Sequence, residues 1–391
     1  MKRLVAFVLA CVGVVGLVAG GPSPAAALPA VQGPYPGPAP SAVDQADPDV
    51  VFIERRNQYV LVWTEDHGAG SRIYAKRLQN TGNPLGGAMG GQYELTGATG
   101  PNGAKGDQRW PAISNGIIVW SEKAPGGSDY DLYAQRLTNN GLTIDTPRKV
   151  ADGPSNQRQA DLVRTAPHEW VVVWSDDAKD GGDIMGVRVT DALMPLGAPV
   201  ALVAGTSTST DPAVHGNSAD LGYFMLGWSD DRLGNPDIWA QSISRTLVER
   251  PGYRGQPFPA LADPNVEERE PAIAKIPADD PAFLNRPPVI AQSVGIQVYF
   301  TEAMSGTYGV AVGQRLRLND WPVGPRIAVV PPNTVAMQPA GALNTVNRNR
   351  YLVVWLGKPA AGTGTETFDV FGTEVDLLGT VTRPALRLVG D

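Results

Sequence analysis

A hydrophobic run that ends in a large aromatic residue recurs along this 391-residue chain and limits the folds open to it. The aromatic anchors are Trp63, Trp120, Trp174, Trp228, Phe300 and Trp355, at intervals of 57, 54, 54, 72 and 55 residues. Internal periods near 50 residues are typical of propellers, solenoids and repeat arrays. We place the extra residues of the long interval around 277–288. The repeat therefore predicts one repetitive architecture after residue 47.

Each repeat predicts four short strands. A Pro-Ala-Ile type segment such as Pro111-Ala112-Ile113 begins the unit, and the run ending at the anchor forms the second strand. An Asp- and Gly-rich loop, a third strand and a Gly/Pro turn into a fourth strand complete it. We predict an all-β, six-bladed β-propeller of four-stranded antiparallel blades spanning residues 48–391. The expected blades are 48–104, 105–155, 156–206, 207–262, 263–332 and 333–391.

A stacked solenoid is the alternative to a closed ring. It needs distinct capping repeats at its ends, and the first and last repeats here look ordinary. One third-strand position is small in all six repeats, and we expect the anchor Trp to pack there.

The N-terminal 27 residues have the order of a secretory signal peptide. Lys2 and Arg3 precede an apolar stretch, and Ala25-Ala26-Ala27 supplies the small residues of a cleavage site. An uncleaved anchor and a lipoprotein modified at Cys11 are the alternatives. Residues 28–47, rich in proline, predict an extended linker. The sequence thus predicts a secreted, extracellular protein with no membrane insertion after signal cleavage.

The composition limits the fold and the kinds of partner that this chain can bind. The 45 Gly and 35 Pro residues favour many short strands and turns, and the net charge of −7 disfavours nucleic acid. A single cysteine excludes an intrachain disulfide. We expect a monomer that binds a protein or a polar or glycan ligand.

The loop between the second and third strands carries a family resemblance. Residues 229–239, Ser-Asp-Asp-Arg-Leu-Gly-Asn-Pro-Asp-Ile-Trp, resemble the S-D-x-x-G-x-x-D-I-Y signature of TolB-like propellers, and residues 175–185 fit nearly as well. The first and fifth repeats depart from this signature. The resemblance implies a six-bladed propeller of a type that often serves protein–protein contact.

Side chains that bind metals do not form a recognisable motif. The three histidines, His67, His168 and His215, occupy different repeat positions, and we interpret them as surface or loop residues. An Asp precedes the third strand in four repeats, where it either caps a tight turn or ligates Ca²⁺ with loop carboxylates. The turn role is favoured because regular calcium-loop spacing is missing. We therefore predict no cofactor, with these positions as the calcium alternative: Asp131, Asp183, Asp237 and Asp369.

Charged residues beside the Pro position suggest a site at the channel mouth. Arg109, Arg158 and Arg269 lie two residues before this position, and Asp49 and Asp161 lie one residue after it. Our hypothesis is that these five residues bind a carboxylate-bearing or sugar-like ligand, since the guanidinium group suits such partners. The alternative is that each Arg pairs with an acidic loop of a neighbouring blade.

Two functions remain open, and the sequence leaves open whether the protein is an enzyme. The favoured one is a non-enzymatic scaffold that binds a protein or ligand through its loop face and channel mouth, with no catalytic residue named. The alternative is a secreted carbohydrate-active hydrolase or lyase with carboxylates at the channel mouth. Glycosidases use two carboxyl groups, and Asp49 and Asp161 are the pair that the sequence offers. The insertion at 279–286 is expected to gate or widen the site in either case.

Overall fold

The described residues of the computed structural model are 42–85, 91–97, 105–114, 116–178, 182–216, 223–249, 256–274, 296–303, 310–316, 322–331, 334–344, 346, 350–359, 367–376 and 379–389. The predicted signal peptide, most of the predicted linker and the insertion at 277–288 lie outside these residues. The side chain of His215 also lies outside them.

The described residues form six four-stranded antiparallel sheets, each built from four consecutive strands. We number these sheets as blades 1 to 6. Blades 1 to 3 comprise β1 (Gln45–Ile53), β2 (Gln58–Asp66), β3 (Ser71–Gln79), β4 (Tyr93–Glu94), β5 (Asp107–Ser114), β6 (Ile117–Lys123), β7 (Tyr130–Leu137), β8 (Thr143–Ala151), β9 (Gln157–Ala166), β10 (Glu169–Asp176), β11 (Asp183–Thr190) and β12 (Val200–Val203). Blades 4 to 6 comprise β13 (Ser209–Gly216), β14 (Tyr223–Asp230), β15 (Asp237–Ser244), β16 (Phe258–Leu261), β17 (Glu267–Ile273), β18 (Ile296–Ala303), β19 (Val310–Leu316), β20 (Pro322–Ala328), β21 (Thr334–Leu343), β22 (Arg350–Pro359), β23 (Asp369–Asp376) and β24 (Leu386–Arg387). A 3-10 turn, Glu54–Arg56, joins β1 to β2.

The first strand of each blade is innermost, and these inner strands contact one another in a closed cycle. Each of β1, β5, β9, β13, β17 and β21 contacts the next, and β21 contacts β1. The predicted all-β propeller of four-stranded antiparallel blades is therefore confirmed. The first strand begins at Gln45, inside the segment predicted as linker, because the Gln45 side chain accepts a hydrogen bond from Val370 N–H at 2.9 Å.

The anchor residues form the cores between and within the blades. Trp63, Trp120, Trp174, Trp228 and Trp355 are fully buried, as is Phe300. Three of the indole N–H groups donate to the carboxylate two residues later, at 2.9 to 3.0 Å: Trp63 to Glu65, Trp120 to Glu122 and Trp228 to Asp230. A buried indole usually finds such an acceptor. The acidic residue that follows these anchors is thus part of the scaffold.

The third-strand position that is small in all six repeats packs against a different neighbour from the anchor Trp that we expected. A side chain at Gly186 would collide with Leu202, and one at Gly372 with Leu388, both from the fourth strand of the same blade. The anchor instead stacks on its cross-strand partner, as Trp63 does on Tyr74 with ring centroids 6.2 Å apart. The small residue therefore admits the fourth strand rather than the anchor.

Blades 1 and 6 meet without exchanging a strand, because each sheet holds only consecutive strands. Side chains close this junction. Asp47 and Gln338 exchange two hydrogen bonds of 2.9 Å, one through the Asp47 backbone N–H and one through its carboxylate. Gln45 adds the bond to Val370 described above. We call this junction the seam. Within the part of the chain described, no helix has the length and apolar character needed to cross a membrane.

Candidate active site

A bulge in every inner strand turns one side chain toward the propeller axis. Two residues on the inner strand stand opposite one on the second strand, so that Arg109 pairs with Ser121 but Ala112 pairs with Val119. Such bulges re-aim side chains next to active sites. The first bulged residue has a left-handed backbone, with φ of 51° or 52° in all six blades. We call these six residues the channel ring: Asp47, Trp110, Gln159, Asp211, Glu270 and Gln338.

The backbone of the channel ring has a conformation that its amino-acid residues disfavour. A left-handed conformation is uncommon outside glycine, and a following proline disfavours helical backbone further. Five of the six ring residues precede a proline, the exception being Gln159 before Ala160. Strain of this kind clusters at functional sites, where the surrounding fold enforces it. The channel ring is therefore a candidate functional site.

The channel ring lines a central cavity of about 140 Å³. Its walls contain the residues that follow the ring in each inner strand, which are prolines and small residues together with Asp49 and Asp161. Three ring members are carboxylic acids, two are amides and one is an indole. Acidic groups in a concave, partly apolar site are candidates for catalysis.

Glu270 is a buried carboxyl group of the channel ring with a raised pKa. Thr301 Oγ1 donates to Glu270 Oε2 at 2.6 Å, and the backbone N–H of Gln338 donates to the same oxygen at 2.8 Å. Oε1 accepts no hydrogen bond from the residues described. Burial, together with the negative charge of Asp211, raises the pKa of Glu270 to about 7. This carboxyl group has the pKa of a general acid.

Asp211 lies in the neighbouring blade and is better supported as an anion. Burial raises its pKa, while hydrogen bonds from Thr210, Ser229 and Gln159 and the charge of Arg269 lower it. Thr210 Oγ1 donates to Oδ2 at 2.9 Å, and the Gln159 amide donates to Oδ1. Ser229 also links the two acids, because its Oγ accepts the Glu270 backbone N–H at 3.0 Å. Asp211 therefore has donors on both carboxylate oxygens, whereas both donors to Glu270 reach one oxygen.

Asp47 is the third carboxyl group of the ring. Burial raises its pKa to about 6, against donors that include Thr64 Oγ1 at 3.2 Å. Its Oδ1 accepts from Gln338 across the seam at 2.9 Å. Because both oxygens accept bonds from neighbouring side chains or backbone, Asp47 serves the ring's structure as well as its charge.

The three predicted arginines each precede a ring residue in the chain but are not among the residues that line the cavity, and all three form ion pairs. Arg109 pairs with Asp107 at 3.2 Å and with Asp66 of blade 1 at 3.8 Å. Arg158 pairs with Asp177 at 3.2 Å, and Arg269 pairs with Glu267 at 3.1 Å. Their charges reach the ring, since Arg109 lowers the pKa of Asp47. The side chain of each arginine remains partly exposed.

The two predicted aspartates reach the cavity wall but bond to backbone. Asp49 Oδ2 accepts Ile113 N–H of the next blade at 2.7 Å, and Asp161 Oδ2 accepts Val214 N–H at 2.9 Å. Their Oδ1 atoms accept the backbone N–H of the following residue, at 2.8 Å in both cases. These carboxylates clamp adjacent blades.

The remaining candidates take part in local contacts. Asp131 pairs with Lys149 at 2.8 Å and Asp369 with Arg387 at 3.0 Å, each joining the third strand to the fourth. His168 pairs with Asp191, and His67 Nε2 lies 3.5 Å from Glu65. No group of three or more His, Cys, Asp or Glu among the described residues is arranged to hold a metal ion.

The channel ring was not predicted from the sequence. The predicted site residues lie two before and one after the Pro position, whereas the ring residue lies directly before it. The signal was present, because that position reads Asp47, Trp110, Gln159, Asp211, Glu270 and Gln338, all large and mostly polar in front of small apolar residues. The ring residue has a left-handed backbone at a bulge, and the alternation of a regular strand predicts neither feature.

Comparison with known proteins supports the fold. No family model and no curated protein sequence matches the chain. A protein of unknown function from Dyadobacter fermentans is similar in structure at TM-score 0.59 and 12% identity, covering 87% of this chain and 96% of that one. The Hadza microbial sialidase Hz136 is similar at TM-score 0.52 and 12% identity, covering 88% of this chain and 66% of that one. An endo-arabinase from Bacteroides thetaiotaomicron matches at TM-score 0.46 and 10% identity, covering 74% of this chain and 99% of that one.

These comparisons define a β-propeller and correct two expectations. They do not support membership of the TolB-like family, whose loop signature is a scaffold feature. The expectation of a non-enzymatic binding scaffold is contradicted, since a similar propeller with a stated function, at TM-score 0.52, is an enzyme, a sialidase. The channel ring is consistent with this correction, because it brings adjacent buried carboxyl groups with raised pKa values to the cavity wall.

Proposed function

We propose that this chain is a six-bladed propeller hydrolase that cleaves glycosidic bonds with Glu270 and Asp211. The observation that carries the proposal is the position of these two acids on adjacent inner strands in the cavity wall, where Ser229 contacts both and burial raises the pKa of each. Paired carboxyl groups whose environments separate their roles are the usual machinery of glycoside hydrolysis. The likeness to a sialidase fold is consistent with this chemistry.

In the proposed reaction Glu270 acts as the general acid. It transfers its proton to the glycosidic oxygen while the bond between that oxygen and the anomeric carbon breaks. Asp211 supplies the electron pair, either by attacking the anomeric carbon or by taking a proton from the water that does so. The anomer of the first product identifies which route is used.

The mouth residues complete the proposal. Arg109, Arg158 and Arg269 donate to the oxygen atoms of the substrate as it enters, and Asp49 and Asp161 hold the cavity wall in place behind it. We further propose that the protein is exported by the N-terminal segment 1–27, and acts outside the cell as a monomer without a cofactor.

A panel of 4-nitrophenyl glycosides of arabinose, xylose, galactose and glucose tests the activity by release of 4-nitrophenolate. We expect Asp211→Asn to lower kcat by about 10²- to 10⁴-fold. Glu270→Gln should lose much less on these substrates than on the matching methyl glycosides, because nitrophenolate leaves without a proton. Activity should also fall as the pH rises through about 7, where Glu270 loses its proton.

The control variant is Asp145→Asn, which removes an exposed carboxylate paired with Arg136 on an outer strand. It should leave kcat unchanged. The proposal is wrong if the wild-type protein cleaves no glycoside of either series, or if both ring variants retain wild-type rates.

A further inference from the structure

Trp110 differs from every other member of the channel ring. The others are carboxylic acids or amides that hydrogen-bond to their neighbours, whereas Trp110 brings an indole into the cavity wall. Its φ of 51° is an outlier for so bulky a residue, and the following Pro111 disfavours this backbone further. Packing alone gives no reason to place the largest side chain at this position.

The indole is fixed in orientation. Its ring meets Tyr130 edge to face, with centroids 5.2 Å apart and an interplanar angle of 66°. The Arg158 guanidinium lies 5.9 Å from the indole centroid. Tyr130 is fixed in turn, because its hydroxyl donates to Asp107 and its backbone N–H donates to Asn156 Oδ1 at 3.1 Å. A rigid aromatic surface in a binding site costs little entropy when it binds a ligand.

The Trp110 indole N–H donates to none of the described residues. This contrasts with Trp63, Trp120 and Trp228, each of which donates to a carboxylate two residues later. A polar donor at the edge of an apolar ring, open to the cavity, suits a ligand that presents both an apolar face and hydroxyl groups.

Trp110 also stands across the channel from the acids. The inner strands follow one another around the ring in chain order, so blade 2 is opposite blade 5. Trp110 belongs to blade 2, and Glu270 belongs to blade 5. A molecule bound against the indole therefore faces the carboxyl pair.

We infer that Trp110 is the platform on which a sugar ring of the substrate stacks, which holds its glycosidic bond toward Glu270 and Asp211. The C–H groups on one face of a pyranose or furanose carry slight positive charge and match the negative face of the indole. Arg158 keeps the indole in place and donates to the hydroxyl groups at the rim. This inference rests on the proposed function for the direction in which the sugar points, but sugar binding itself is measurable without turnover.

The experiment measures binding and catalysis separately. Saturation-transfer NMR with the methyl glycosides of arabinose, xylose, galactose and glucose reports binding to wild type, Trp110→Ala and Trp110→Phe. We expect at least one glycoside to bind wild type, Trp110→Ala to weaken it 10-fold or more, and Trp110→Phe to lose less. The control is Leu233→Ala, which removes an exposed apolar side chain from the same loop face and should not alter binding.

Thermal unfolding separates loss of binding from loss of fold. If Trp110→Ala is unfolded, the smaller Trp110→Phe change decides, since it keeps an aromatic surface and should bind. Binding that depends on Trp110 without hydrolysis leaves this inference standing and removes the proposed activity. If wild type hydrolyses a glycoside and Trp110→Ala has the same KM and binding, the inference about Trp110 is wrong and the proposed activity stands. The inference is also wrong if the wild-type protein binds none of the four glycosides.

Discussion

At the scale of single residues, the site depends on carboxyl groups whose protons are held by burial. Glu270 and Asp47 both have raised pKa values, to about 7 and about 6. Desolvation disfavours the charged form, and the cavity wall gives each acid too few donors to offset it fully. The ring is therefore more stable when these acids are protonated than when they are charged.

Replacing Asp47 by asparagine tests this balance. The folded-state pKa of Asp47 lies above its ordinary value of 3.8, so its favourable contribution is fully present below that value and is lost as the pH rises through about 6. The neutral asparagine avoids that loss. We expect the stability of Asp47→Asn relative to wild type to improve by about 2 kcal/mol between pH 4 and pH 8.

Urea unfolding of both proteins at the two pH values measures the difference. Asp145→Asn, on the surface, is the matched control and should show little change between them. A difference between Asp47→Asn and wild type that stays constant across this pH range contradicts the account given for Asp47.

At the scale of strands, each blade places a buried aromatic anchor at the same position of its second strand, and in three blades the anchor's indole donates to the acid two residues later. This arrangement was predictable because the anchors recur at a fixed place in the strand, where packing demands a large apolar side chain. The inward turn of the channel ring was not predictable, because it depends on a left-handed residue before proline that local preference opposes. The sequence therefore predicts the core, whereas the ligand-binding residues named from it lie one residue before and two residues after the channel ring.

Two tryptophans permit a matched test of the anchor's hydrogen bond. Trp120 donates to the buried Glu122 at 2.9 Å, whereas the buried indole N–H of Trp174 has no partner among the described residues. Replacement by phenylalanine removes a similar volume from both cores, but only Trp120→Phe takes a donor from a buried carboxylate. We expect Trp120→Phe to cost about 1 to 3 kcal/mol more than Trp174→Phe.

Chemical denaturation of the two variants gives this difference in the free energy of unfolding. Equal losses would mean that the indole acts only by filling space.

At the scale of the whole molecule, the seam is the junction at which the ring of blades closes. Blades 1 and 6 share no strand, so this junction is held by packing, by side-chain hydrogen bonds and by a backbone bond from Gln45 N–H to Phe368 O at 3.3 Å. The seam also borders the site, because the backbone N–H of Gln338 donates to Glu270 while its side chain holds Asp47. Opening of the seam therefore disturbs the catalytic candidates.

Gln45 and Gln157 occupy equivalent places and separate seam contacts from contacts within a blade. Gln45 accepts a bond from Val370 across the seam at 2.9 Å, whereas Gln157 bonds to Ser155 just before its own strand at 2.8 Å. We expect Gln45→Ala to speed amide hydrogen exchange in β1 and β23 by about 5- to 30-fold, because loss of about 1 to 2 kcal/mol eases local opening. Gln157→Ala should leave those strands unchanged. Similar exchange in both variants would contradict a special role for the seam.

The absence of strand exchange has a consequence for the order of the chain. Val389, at the outer end of blade 6, is buried in the same cluster as Val50 of blade 1, as expected for a fourth strand about to pass to the next inner strand. The chain therefore connects each blade to the next around the propeller, except blade 6 to blade 1. A short peptide joining residue 389 to residue 45 would make all six connections alike, and new ends placed between any two blades would give a circular permutant with the same ring.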